Sequence, residues 1–423
     1  MLNEWIILTE PGELRRSDFS LLMNFPRDKE HSQYAAFHEL AIFRSGIMTD
    51  EVAGSGSLQA LLLQAGIWEP KRAREAWDEF CARVDDIEAL PEGGYELFPL
   101  VAANLTEFAP TLPHRDYLLS VLKHSWARSQ SMFASVLPIL QAFKSEGIDF
   151  LAFKGIALTP LYYKNWGARP GMNLGLLIHP QDVERTFSIM ALSACVPLEL
   201  VRPKKWNDFV RYRFESFWLR PDKVPVQLRW HLVQGYGDEQ AEKRLREQAV
   251  PCPLPDLQAG TLCATDHFLQ TCVDGTGLNR DFSLSWLTDA AMILRSGKIN
   301  WTELEERAHQ SQRIHAVRET LLDLDLLDLG VPKLQLEHWR QIKVSALENL
   351  EAGWRTQRRI SRVGIKTAAM AYLRLHRDAT QAARPQNLWA YLQQLHEMKG
   401  ILRQIVLVWY VIRWNRFRNT SNA

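Results

Sequence analysis

The chain has 423 residues, of which 46% are hydrophobic and 23% charged, with a formal net charge of +1. That is an ordinary soluble globular composition, long enough for two or three compact units and a sizeable core. No window reaches the ~18 uncharged apolar residues of a spanning helix, and the five scattered cysteines (Cys81, Cys195, Cys252, Cys263, Cys272) form no C-x-x-C pair or zinc-spaced cluster.

Free thiols in a reducing cytoplasm are the expectation for those cysteines. The start "MLNEWIILTEPGELRR" lacks a basic region followed by a long apolar one, so no signal peptide is expected there. The modest net charge hides an asymmetry. Residues 333–423 hold 16 Lys/Arg against 5 Asp/Glu, a net of +11, so residues 1–332 carry a net of −10. A basic tail on an acidic body needs a counter-surface. The alternatives are its own body, an acidic protein, anionic lipid and nucleic acid.

In chain order, residues 1–56 read as an N-terminal extension ending in the flexible "GSGS". A helical module follows over 57–147. "SLQALLLQAG" starts on a Ser cap and stops at Gly66, and "PKRAREAWDEFCARV" has Pro70 in its first turn and Trp77, Phe80, Cys81 and Val84 on one face. The stretch 116–147 is helical, with Pro138 expected to kink or divide it.

The texture changes at Ile148, and residues 148–235 read as a small mixed sheet with helices against it. "IDFLAF" is a short apolar run between Gly147 and Lys154-Gly155, hence a buried strand. "IALTPLYYKN" is a short helix, "NLGLLI" a second strand, and "HPQDVERTFSIMALS" a helix with acids in its first turns. "RYRFESFWL" and "VPVQLRWHLV" are two strands joined by "RPDK". A second helical module spans 236–332. Beyond it, residues 333–423 form a basic region with long helices expected near 354–378 and 387–417. There Trp409, Tyr410 and Trp414, interleaved with Arg413, Arg416 and Arg418, have the make-up of an interfacial anchor or of a helix packed on protein. The fold class is helix-rich α+β.

A strand, a lysine-glycine turn, a helix and a second strand led by an arginine suggest a metal-dependent phosphate-transfer site. Such a site holds about two divalent cations on anionic oxygens. Residues i and i+2 of a strand face the same way, so an acid-x-acid pair sets two carboxylates side by side, and a third acid comes from a neighbouring strand. A glycine turn lets the backbone approach the phosphates.

The residues that fit are Lys154, Gly155, Ala157, Leu158, Tyr162, Tyr163, Arg169, Pro170, Leu176 and Leu177. In this order they resemble an uncharacterised family of bacterial nucleotidyltransferases, related to toxin/antitoxin-type nucleotidyltransferases. That family reads L-K-G-x-A-L, a tyrosine pair, then R-P-x-x-D-x-D-L-L-V. "VPVQLRWHLV" is similar to its V-D-L-H-W segment and "SLSWLTDAAMIL" to its W-L-x-D-x-A helix, so the likeness spans about 57–330. It implies a nucleotidyltransferase-type sheet flanked by helical modules.

The departures fall on the chemistry. Asn173 and Gly175 stand where the family has its metal aspartates, Gln227 where it has the third aspartate, and Arg229 where it has histidine. Asp149, Asp182, Glu184 and Glu215 are nearby acids, but none makes an i, i+2 pair on "NLGLLI". Mg²⁺ is therefore not expected, and no residue is assigned as catalytic.

Lys154, Gly155, Arg169 and Arg229 remain as candidates for binding a nucleotide or phosphate without metal. The alternative is that Lys154 and Arg169 pair with nearby acids or structure the turn. The resemblance thus implies a pseudo-nucleotidyltransferase acting as a binding or scaffold subunit, in a biosynthetic or regulatory complex. The alternative is an active enzyme moving NMP from an NTP to a protein, peptide or small molecule through an atypical metal site. A protein or peptide partner is expected, with membrane-peripheral or nucleic-acid contact through 354–418 as further options, in the cytoplasm. No H-E-x-x-H, G-x-S-x-G or G-x-x-x-x-G-K-[ST] motif offers another chemistry.

Overall fold

The computed structural model describes residues 57–87, 95–163, 165–169, 173–198, 206–234, 239–276 and 284–355, together with 372–374 and 391. The N-terminal extension, Pro170, and nearly all of the two basic stretches, including the 409–418 aromatic and arginine positions, lie outside those residues.

Helix α1 (Leu58–Ile67) starts where expected, with the Ser57 hydroxyl accepting the Ala60 N–H at 3.1 Å. In α2 (Pro70–Arg83) the proline stands in the first turn, and Trp77 and Phe80 are buried. After α3 (Phe98–Leu105) comes α4 (Arg115–Ser145), which Pro138 does not divide. Phe133, Val136, Ile139, Leu140 and Phe143 are buried on both sides of that proline, so packing against the sheet holds the two halves in one helix. Gly147, at φ 68°, ends it, while the Ile148 N–H reaches back to the Phe143 carbonyl at 2.8 Å.

The centre of the fold is a mixed seven-stranded sheet in the order β3-β4-β5-β2-β1-β7-β6. In chain order the elements are β1 (Phe150–Phe153), α5 (Gly155–Tyr162), β2 (Leu174–Ile178), α6 (Val183–Leu192), β3 (Val196–Pro197), α7 (Trp206–Tyr212), β4 (Glu215–Leu219), β5 (Pro225–Arg229), α8 (Glu239–Glu247), β6 (Val250–Leu254) and β7 (Leu257–Thr261). Strand β1 pairs antiparallel with β2 and parallel with β7, and β2 pairs parallel with β5. The β4–β5 hairpin turns through Lys223, at φ 63°.

Two readings need correction. "RYR" is not strand, because Arg211 and Tyr212 close α7 and β4 begins at Glu215. The sheet also continues beyond residue 235, since β6 and β7 extend it from within the stretch read as helical. The edge strand β6, "VPCPL", carries two prolines, and its inner neighbour β7, "LQAGT", a polar residue and a glycine, so neither is an apolar run.

Alternation along the strands divides the core. Phe150, Ala152, Leu174, Leu176, Ile178, Val226 and Leu228 pack under α4 and α6. Leu151, Phe153 and Leu177 face the opposite side, with Ala241 and Leu245 of α8. Helices α9 (Ala264–Thr276), α10 (Ser285–Arg295), α11 (Trp301–Ser311), α12 (Ile314–Leu326) and α13 (Lys333–Gln341) follow, then α14 (Ala346–Arg355). Helices α9 to α13 share one hydrophobic core with α1 to α3, through Trp77, Phe98, Phe268, Leu287, Leu321 and Trp339. Helices before and after the sheet in sequence thus close on each other in space.

Helix α9 meets α10 through Gly275. A Cβ there would lie 2.1 Å from the Trp286 ring. Gly275→Ala is therefore expected to lower the melting temperature, costing about 1–3 kcal/mol from overpacking. A thermal melt checks this, and an unchanged melt would contradict the contact.

Candidate functional site

The site begins at the turn between β1 and α5. Lys154 has φ 60° and ψ −150°, a backbone region that is almost exclusively glycine's. Its carbonyl accepts the N–H groups of Ala157 and Leu158, at 3.0 and 2.7 Å. Gly155 has no room for a side chain, since a Cβ would lie 2.7 Å from both Arg169 Nη1 and the Asn173 nitrogen. The Gly155 N–H donates to Asn173 Oδ1 at 2.8 Å, and the Ile156 N–H to the Asn173 carbonyl at 3.1 Å. The donors a glycine turn would offer a phosphate are satisfied by Asn173, and its amide oxygen is thereby committed.

Register brings the other key positions together. Phe153 lies opposite Gly175, Gly175 beside Gln227, and Gln227 opposite Phe217. The Phe153 ring fills the space a side chain at 175 would need, with ring atoms 2.8 Å from an added Cβ. Arg229, two residues beyond Gln227 on the same face, holds its guanidinium 5.2 Å from the Phe153 ring centroid and 5.3 Å from that of Phe214.

The charges around Arg229 are balanced. Arg229 Nε donates to Glu215 Oε2 at 2.9 Å, and Nη2 to Asp274 Oδ1 at 2.9 Å. Lys154 Nζ lies 3.2 Å from Asp274 Oδ2. Gln227 donates its amide to Glu215 Oε2, and Gln270 to Asp274 Oδ2, each at 2.6 Å. Burial pushes the Glu215 carboxyl up, and Arg229 offsets only part of that rise. Burial works the same way on Asp274, but there Arg229 and Lys154 outweigh it and hold the carboxyl below its ordinary value. Two cations thus face two carboxylates.

Arg169 sits apart from this cluster. Its guanidinium lies beside Gly155 but binds Asp289 in a two-point grip, Nε to Oδ1 at 2.8 Å and Nη2 to Oδ2 at 2.7 Å. Both side chains are buried, and the Tyr163 hydroxyl donates to the same carboxylate at 2.8 Å. Lys154, Gly155, Asn173, Gly175, Gln227 and Arg229 are therefore neighbours around the ends of β1, β2 and β5, and Arg169 reaches the same turn at Gly155 while held by Asp289.

Asp274 and Gln270 carried no assignment in the sequence. Their i, i+4 spacing on α9 was visible, but nothing local shows that this helix face meets β5. Asp289 stands inside the W-L-x-D-x-A likeness, which hints at its importance without naming Arg169 as its partner. Of the other acids, Asp149 pairs with Lys144 and Arg246 at the far end of β1, and Asp182 pairs with Arg185.

These residues do not fit a two-metal site. Position 173 offers a committed amide, 175 no side chain, and 227 an amide turned by Glu215. Among the described residues, no group of three or more His, Cys, Asp or Glu side chains could hold a metal ion.

The strand, lysine-glycine turn, helix and second strand, with a third strand parallel to the second, lie within the residues matched by a nucleotidyltransferase family profile, and that match sets the class of the protein. Within it, the chain belongs to a family described as uncharacterised nucleotidyltransferase, whose profile matches residues 95–325. No curated protein and no solved structure matches the chain.

Two outcomes follow from the ion pairs. Asp289→Ala removes the carboxylate that grips the buried Arg169 guanidinium at two points, so it is expected to destabilise the fold by about 3–5 kcal/mol, measured by denaturant melts. Asp274 is depressed below its ordinary 3.8, so its stabilisation is complete above that pH and is lost as pH falls through the lower folded value. Asp274→Asn is expected to be about 2–3 kcal/mol less stable than the parent at neutral pH. The gap should begin to narrow as melts are taken below pH 3.8 and close only once the pH is below the lower folded value.

Proposed function

We propose that this protein is a pseudo-nucleotidyltransferase: it keeps the fold and uses it as a binding or scaffold subunit. The observation that carries the reading is the Phe153 ring packed onto Gly175, in the space from which a metal-binding carboxylate would project. Asn173 supports it by occupying the Gly155 and Ile156 N–H groups, and Arg229 by standing as a cation on the metal-binding face. A divalent ion placed there would find no carboxylate at 173, 175 or 227, and Glu215 and Asp274 already paired with Arg229 and Lys154.

The same geometry bears on phosphate binding by Lys154, Gly155, Arg169 and Arg229. Each of the three cations already has a carboxylate partner, so an incoming phosphate must displace Asp274, Asp289 or Glu215. Lys154, with about a fifth of its side chain exposed, is the most accessible of them. A protein or peptide partner fits better than a nucleotide, and the net +11 of residues 333–423 favours an acidic one. No helix among the described residues is long and apolar enough to cross a membrane.

The test is transfer of labelled NMP from ATP, GTP, CTP and UTP with Mg²⁺ or Mn²⁺, with protein, peptide and small-molecule acceptors, alongside calorimetry with the same nucleotides. No transfer and no metal-dependent heat are expected. Metal-dependent transfer by the unmodified chain would instead establish an active enzyme with an atypical site.

A further inference from the structure

The mismatch between this site and a divalent ion has a positive content. We infer that Arg229 is a resident cation that takes the place of the metal, with Lys154 as its second positive charge. The inference rests on the closed-site reading and goes beyond it, because it says what the lost metal was exchanged for.

Glu215 and Asp274 come from different elements, β4 and α9, yet they bind Nε and Nη2 of one guanidinium, both at 2.9 Å. Two carboxylates on adjacent N–H groups of one cation must be close neighbours, and each would repel the other without it. Asp274 indeed adds to the rise that burial imposes on Glu215. The guanidinium lies over Phe153, which covers position 175, and it projects from the same strand face as Gln227. It is therefore set against two of the three positions where the family's metal acids would stand.

A second, independent observation concerns the two amides. Gln227 and Gln270 are buried to 4% and 2% exposure, and each amide nitrogen is turned onto one of the two carboxylates. That fixes their oxygens as acceptors, and both Gln227 Oε1 and Gln270 Oε1 are buried without a hydrogen-bond partner. Unsatisfied buried acceptors beside two carboxylates are the oxygen donors a hard cation takes. The guanidinium supplies the charge but does not satisfy these oxygens. Emptied of Arg229, the cluster keeps the two carboxylates it bridged, with the two amides still bound to them.

The probes are Mn²⁺ and Mg²⁺ as chlorides, with an ionic-strength control in NaCl, on the full chain. The parent is expected to show no melting shift beyond the control. Arg229→Ala is expected to melt lower, to bind Mn²⁺ by electron paramagnetic resonance, and to regain about 3 °C at a hundredfold excess of metal over Kd. Adding Glu215→Gln or Asp274→Asn to Arg229→Ala should abolish the binding.

Should Arg229→Ala fail to fold, Arg229→His keeps a side chain in the space and serves in its stead. Recovery of either variant by refolding only with Mn²⁺ supports the inference. A folded Arg229 variant that does not bind Mn²⁺, variants that refold neither with nor without it, or a parent that binds it equally well would overturn the inference. Parent NMP transfer would overturn the closed-site reading instead, so the two failures are distinguishable.

Discussion

A buried guanidinium between two carboxylates organises the centre of this protein. Removing Arg229 from water costs several kcal/mol, and only close partners with good geometry repay it. Glu215 and Asp274 provide them, and in doing so they tie β4, β5 and α9 to one point. Lys154 joins through Asp274, which ties in the β1–α5 turn as well. A single neutral cluster therefore links both halves of the sheet's functional face to the downstream helices. Deleting any one member leaves the others buried with uncompensated charge.

The same logic repeats behind the turn. Arg169 and Asp289 are oppositely charged and almost fully buried, and they connect the segment leading into β2 to α10. Asn173 then fastens the turn to the start of β2 through its side chain and its carbonyl. Here their hydrogen bonds and charges are spent internally, which is how a site can hold its shape without ligand or metal. Strain at Lys154 is tolerated because the turn is fixed from so many sides.

Much of this was legible in the sequence, and the reasons differ by element. Strands β1 and β2 are short apolar runs between turn residues, and β5 shares their apolar character, so they could be placed closely. Asn173, Gly175 and Gln227, at positions where the resemblance implies acids, could be read directly from the sequence. What packs against them could not. Phe153 belongs to an ordinary apolar strand, and only the β1–β2 register shows its ring lying on Gly175. Asp274 and Gln270 come from a helix about forty residues beyond Gln227, and helix periodicity does not say which strand it faces. Strands β6 and β7 escaped because the prolines of the first, at the sheet edge, and the Gln and Gly of the second break up the apolar run that marks a strand.

The central claim is that internal cations and side chains fill the place of metal and nucleotide. A crystal structure of the full chain grown with Mn²⁺ and a non-hydrolysable NTP tests it most directly, because manganese reveals itself by anomalous scattering. The account predicts no anomalous peak near Asn173, Gly175 and Gln227, with Arg229 still bridging Glu215 and Asp274. A manganese peak there, with Arg229 displaced and the triphosphate on the Lys154-Gly155 turn, would contradict it.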